Sequence, residues 1–109
     1  MGNIHRERTK ELRLPDYKGG SNINYARTVL LKGYNLNTYQ ARYIGIGNWH
    51  SMISDLRIKY KMLITDTKER VIDPLTGKLT ERPVINAWMT LEQRKDYFKR
   101  KKAQTYRRK

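Results

Sequence analysis

The chain has 109 residues, and its 24 lysines and arginines against 10 acidic residues give a net charge of +14. That is room for one domain with a modest core, not for a deep catalytic cleft, and more positive charge than solubility needs, so it points to a polyanionic partner whose counterions are released on binding. There is no cysteine, hence neither a disulfide framework nor a thiolate metal site, and no apolar run approaches the roughly 20 residues that span a bilayer.

Charge divides the chain into three parts. Residues 1–20 hold five basic and three acidic side chains and end in Pro15, Gly19 and Gly20, which reads as a flexible basic arm. Their start, "MGNIHRERTKE", lacks the apolar centre of a signal peptide. Arg6 also stands where a myristoylation signal has Ser or Thr, so the expected location is the cytoplasm. Residues 21–90 carry nearly all the apolar content and form the expected domain. Residues 91–109 hold nine basic and two acidic side chains, half of the net charge, and are expected to be a basic helix and tail.

Within the domain, Ser21 or Asn22 caps a first helix on which Ile23, Ala26, Val29 and Leu30 make one apolar stripe. Gly33 supplies the left-handed residue that ends it. "YNLN" is long enough only for an extended connector or a one-rung strand. Asn37 or Thr38 then caps a second helix, with Gln40 placed three after Asn37 for a capping box and with Ala41 and Ile44 facing inward. "IGIG" follows, a corner in which Gly45 and Gly47 tolerate positive φ and Ile46 plugs the core.

A helix, a glycine turn and a second helix make a helix-turn-helix. The spacing predicts that the helix after the turn runs over 48–60. Its Trp49, Ile53, Leu56 and Tyr60 should be buried, and its other face should carry Asn48, His50, Ser51, Ser54 and Arg57. Short hydrogen-bonding groups near a helix start, with a cation further along, suit a helix laid in a major groove. Asn48, His50, Ser51 and Ser54 are the candidate base contacts. An ordinary solvated face would show more Glu–Lys pairs four apart, and only Asp55 and Lys59 make one.

Two β-prone runs, "KMLITDTKERVID" and "RPVINAWMT", flank the turn "PLTGKLTE", in which Pro74 and Gly77 supply the turn chemistry. This predicts a hairpin wing. The fold class is therefore mainly α with a β-hairpin: a winged helix-turn-helix of three short helices and a two-stranded wing. Candidate phosphate contacts are Arg57 and Lys61 after the reading helix, Lys68, Arg70, Lys78 and Arg82 on the wing, and Lys99, Arg100, Lys101 and Lys102 in the basic end. Trp88 is expected to plug the core, and the eight dispersed tyrosines form no RNA-stacking motif. In the last segment Leu91 and Phe98, seven apart, are expected to dock a helix running from the cap Thr90 to about Lys101, with a frayed tail beyond Lys102.

Residues of about 24–90 resemble the small winged helix-turn-helix domain common in bacteriophage and prophage proteins. The resemblance lies in "LLKGYNLNT", in "TYQARYIGIG", and in "SMISDLRIKYKM", whose Asp55, Leu56 and Arg57 match the ending of that family's third helix. Met52 departs from the basic residue usual there. The resemblance implies a winged-helix fold and DNA binding, and the expected role is a transcriptional regulator or an excisionase-like architectural factor working on the host nucleoid. It covers neither basic end.

Catalysis is not expected. His5 and His50 are the only histidines, and no H-E-x-x-H, glycine-rich phosphate loop or carboxylate cluster occurs, so no metal or cofactor is implied. Duplex DNA is the expected partner. An RNA or ribosome binder, or a phage protein that grips a host protein with its winged helix, is the alternative. No membrane partner is expected.

Overall fold

The structure, a computed structural model, describes residues 4–107, with side chains as far as Ala103. Gly2, Arg108 and Lys109 lie outside that range. Five helices and three short strands follow one another in the order α1 (Arg6–Glu11), α2 (Asn22–Leu31), β1 (Leu36–Asn37), α3 (Thr38–Ile44), α4 (Trp49–Lys59), β2 (Thr65–Glu69), β3 (Val84–Trp88) and α5 (Leu91–Arg107).

The expected helix signals act where they were placed. Ser21 accepts the Asn24 N–H and starts α2, whose Tyr25, Ala26, Val29 and Leu30 are buried, while Ile23 is only half-buried. Gly33, at φ +91°, turns the chain out of that helix. Asn37 and Gln40 close a complete capping box on α3. Of the two corner glycines only Gly45 takes positive φ, at +112°, and Ile46 is buried beside it. Helix α4 then buries Trp49, Ile53 and Leu56, and the Trp49 indole donates to the Leu36 carbonyl at 2.8 Å, tying the start of α4 to β1. Tyr60 is half-buried, with the Arg27 guanidinium 4.3 Å from its ring centre.

The hairpin forms, but the sheet has three strands. "YNLN" supplies β1, which pairs antiparallel with β3, so the order is β1-β3-β2 with Leu36 opposite Ala87 and Thr65 opposite Trp88. The flanking strands are shorter than the β-prone runs, because the ladder gives way to a long loop over 70–83 held by an isolated Ile72–Leu79 bridge. Trp88 is half-buried, and its neighbours Ala87 and Met89 are the residues that fill the core. The strand alternates, and the tryptophan falls on the outer face.

Both ends differ from expectation. The described part of the N-terminal segment is no loose arm. Ile4, Thr9 and Leu14 are buried, the His5 N–H donates to the Ile44 carbonyl at 2.8 Å, and Tyr25 donates its hydroxyl to the Pro15 carbonyl. Two apolar residues spaced ten apart among charges, Ile4 and Leu14, anchor the stretch between them on the core.

Helix α5 extends past Lys102 to Arg107, over a run free of Gly and Pro. Its docking face is Gln93, Arg94, Tyr97 and Arg100, not Leu91 and Phe98, which are 53% and 54% exposed. Thr90 and Gln93 cap the helix reciprocally. Gln93 also accepts from Thr65, which fixes the rotation of the helix and turns Tyr97 inward. Among the described residues no helix is long and apolar enough to cross a membrane.

Candidate nucleic-acid interface

Residues one turn apart on α4 share a face, so burial of Trp49, Ile53 and Leu56 leaves the remaining arc of the helix uncovered. That arc contains His50, Ser51, Ser54 and Ile58, all exposed. Three are short polar groups able to meet base edges. Ile58, at 65% exposed, is an apolar side chain of the kind that packs on a thymine methyl group. The sequence reading passed over it, although its place four residues after Ser54 puts it on the same stripe.

Asn48 has a different task. It precedes α4 as its N-cap, and its side-chain oxygen accepts the Ser51 N–H at 3.0 Å. A short polar side chain is the standard means of satisfying the first-turn N–H groups, and its carbonyl oxygen is thereby committed. His50, Ser51 and Ser54 lie on the uncovered arc itself, and Asn48 stands exposed at its start with its amide NH2 not used by the cap.

The candidate phosphate cations sort into two sets. Arg57 and Arg100 are stitched into the fold. Arg57 donates to the Ile64 carbonyl at 2.6 Å and lies 3.5 Å from the Asp66 carboxylate, while Arg100 donates to the Lys61 carbonyl at 2.6 Å and pairs with Asp96 at 2.8 Å. Together they clamp the segment 61–64, which leads from α4 into β2 and carries buried Met62 and Ile64. Sequence reasoning sees a cation and expects an anion, whereas a guanidinium fork serves equally well to cap backbone carbonyls. Arg70 is similarly used, its Nε donating to the Thr80 carbonyl at 2.7 Å inside the 70–83 loop. Lys61 takes φ +56° at the turn that ends α4, a conformation that suits glycine better than lysine, and its side chain stays exposed.

The second set projects outward. Lys68 on β2, Lys78 and Arg82 on the loop, and Lys99, Lys101 and Lys102 on α5 are all exposed. Lys101 also approaches the Tyr97 ring, its Nζ 5.7 Å from the centre. The Glu69 carboxylate at the end of β2 is turned onto neighbouring donors. Glu69 accepts from Thr67 at 2.6 Å and from Asn86 at 3.2 Å, bonds that hold its carboxyl below the ordinary range. Of the described tyrosines, Tyr25 and Tyr97 are buried, Tyr34 is exposed and the other four are half-buried. Arg8 lies 4.6 Å from the Tyr43 ring centre, Arg42 5.3 Å from Tyr39 and Arg6 5.8 Å from Tyr17. Among the described residues, no cluster of His, Asp or Glu could hold a metal ion.

Compared with protein-family models, with curated proteins and with solved structures, the chain matches none of them.

Proposed function

We propose that this chain is a winged helix-turn-helix protein that binds duplex DNA, reading the major groove with α4 and holding phosphates with the hairpin loop and α5. The observation that carries the proposal is the exposed arc His50, Ser51, Ser54 and Ile58 on a helix anchored by Trp49, Ile53 and Leu56. The element order helix–strand–helix–helix–hairpin, with β1 added to the outer side of β3, supports the winged reading. The net charge of +14 supports a polyphosphate partner. In this reading the protein works in the bacterial cytoplasm as a phage-type regulator or excisionase-like architectural factor. Capture of a host protein is the second reading, favoured by the uncovered Leu91 and Phe98 on α5.

Selection of bound sequences from random duplexes, followed by titrations at several salt concentrations, tests the proposal. Ser51→Ala with Ser54→Ala should flatten the sequence preference, since a mismatched pair typically costs about 1–3 kcal/mol, and leave non-specific affinity largely intact. Removing residues 99–109 deletes seven positive charges. The slope of log affinity against log salt should then fall by about two to four, each phosphate contact adding roughly 0.9. No duplex binding at low salt, or equal preference for single-stranded RNA, sinks the DNA reading.

A further inference from the structure

The loop over 70–83 ends in a turn that folding alone does not explain. Its backbone is closed by a dense set of hydrogen bonds: the Gly77 N–H donates to the Asp73 carbonyl at 2.7 Å, and the Asp73 N–H donates to the Lys78 carbonyl at 2.9 Å. The Asp73 carboxylate accepts the Leu75 N–H at 2.9 Å. Gly77, at φ +72°, and Pro74 complete a rigid tip. Yet what that tip displays is apolar. Leu75 is 71% exposed, with Ile72 at 54% and Leu79 at 50% behind it. A turn needs no leucine, and an ordered apolar group held in water is a cost unless something covers it.

We propose that this tip is an apolar wedge that enters the DNA minor groove and pries apart a base step, so that the protein bends the duplex it binds. The proposal rests on the DNA-binding reading and adds a mechanical role to it. Apolar side chains carried on a rigid projection are the device by which minor-groove proteins unstack bases and kink the duplex. Charge favours this occupant over a second copy of the chain. The loop holds Arg70, Lys78 and Arg82 against Asp73 and Glu81, a small positive excess on a chain of net charge +14, so a second copy would be repelled while phosphates flanking a groove are attracted. Glu81 is the exposed acid of the loop and stands beside Arg82.

Ligase-mediated ring closure of duplexes shorter than the persistence length of about 150 base pairs tests the wedge without knowledge of the target site. The full chain should promote small circles. Leu75→Ala with Leu79→Ala should reduce ring closure by about tenfold or more, with an affinity change of only about threefold, because the phosphate contacts remain. Leu75→Met, still apolar and of similar volume, should keep most of the ring closure, and Leu75→Lys should lose it while keeping affinity. Circular dichroism of each variant checks that the fold is intact. Binding without ring closure by the full chain, or undiminished closure by the double alanine variant, overturns the wedge and leaves the DNA reading standing. No duplex binding at all overturns both. Concentration-dependent self-association that Leu75→Ala abolishes would assign the tip to a second copy and overturn the wedge as well.

Discussion

The two ends of this protein are both basic and both flank the same domain, but they attach to it by different physics. The N-terminal segment is held by apolar burial: Ile4, Leu14 and the hidden hydroxyl of Thr9 sit in or against the core. The first half of α5 is held largely by polar fits. Gln93 bonds Thr65, Arg100 bonds the Lys61 carbonyl, Arg94 lies over Gly33, and Tyr97 is the one large side chain buried on the described part of the helix. Burying apolar surface yields more net stability than exchanging hydrogen bonds with water for internal ones. The N-terminal segment should therefore matter more to folding than its charge suggests, and α5 less, leaving α5 with cations and apolar groups to offer a partner.

The sharpest way to break this contrast is truncation. Deleting residues 1–14 removes Ile4, Thr9 and Leu14. At about 2–5 kcal/mol for each buried large apolar side chain, the loss is comparable to the whole stability of a small domain. The truncated chain should lack a cooperative urea transition. If the N-terminal truncation melts like the full chain, the segment is an arm after all.

A second test stays within α5. Tyr97→Ala should cost about 3 kcal/mol by opening a gap at the docking face. Leu91→Ala should stay within about 0.5 kcal/mol and Phe98→Ala, whose ring meets Tyr97 edge-on at 5.5 Å, within about 1 kcal/mol, since both side chains are more than half exposed. The reverse ranking in chemical melts would rotate the helix back to the face its Leu–Phe spacing suggests.

The third test concerns the contact beneath α5. A Cβ at Gly33 would meet the Arg94 Nη1 at 3.0 Å, and the residue sits at φ +91°. Gly33→Ala should therefore cost about 1–2 kcal/mol from the left-handed backbone alone, plus whatever the displaced guanidinium loses. Adding Arg94→Ala should recover the second part and not the first. Full recovery in the double variant would mean that the backbone carries no strain.

These contrasts also mark what the sequence could reveal. The α3–corner–α4 unit was legible almost to the residue, because the capping box of Asn37 and Gln40, the turn at Gly45 and the spacing of Trp49, Ile53 and Leu56 are all local patterns. Attachment of the N-terminal segment was not, since the partners of Ile4 and Leu14 lie far along the chain and charges surround both residues. The α5 face was misread because Leu and Phe outrank Tyr in hydrophobicity. A tyrosine ring can fill a gap nonetheless, and the hydrogen bonds of Gln93 and Arg100 set the rotation. At the candidate site, His50, Ser51 and Ser54 lie on the expected face. The structural bonds of Asn48, Arg57 and Arg100 were not legible, because a cap or a carbonyl clamp leaves no trace in residue type alone.

The last test is a pH dependence that belongs to the N-terminal attachment. Tyr25 lies under that segment, its hydroxyl donating to the Pro15 carbonyl. Burial is the main reason its pKa is raised to about 12 from 10.0, with a bond to Thr9 pulling the other way and the Asp16 charge adding to the rise. A tyrosine is neutral below its pKa, and the folded state here favours the neutral form. Its contribution is therefore fully present below pH 10, the unfolded value, and drains away as pH rises towards 12, because the unfolded chain loses the proton first. Urea melts across this window should show a decline that Tyr25→Phe reduces, although that variant starts lower by about 1 kcal/mol for the lost hydrogen bond. Limited proteolysis should follow the same course, with cuts appearing first between Leu12 and Gly20 while α5 stays protected to the same extent. Equal slopes for the two proteins would show that Tyr25 is solvated in the folded state and that the N-terminal segment is held by Ile4 and Leu14 alone.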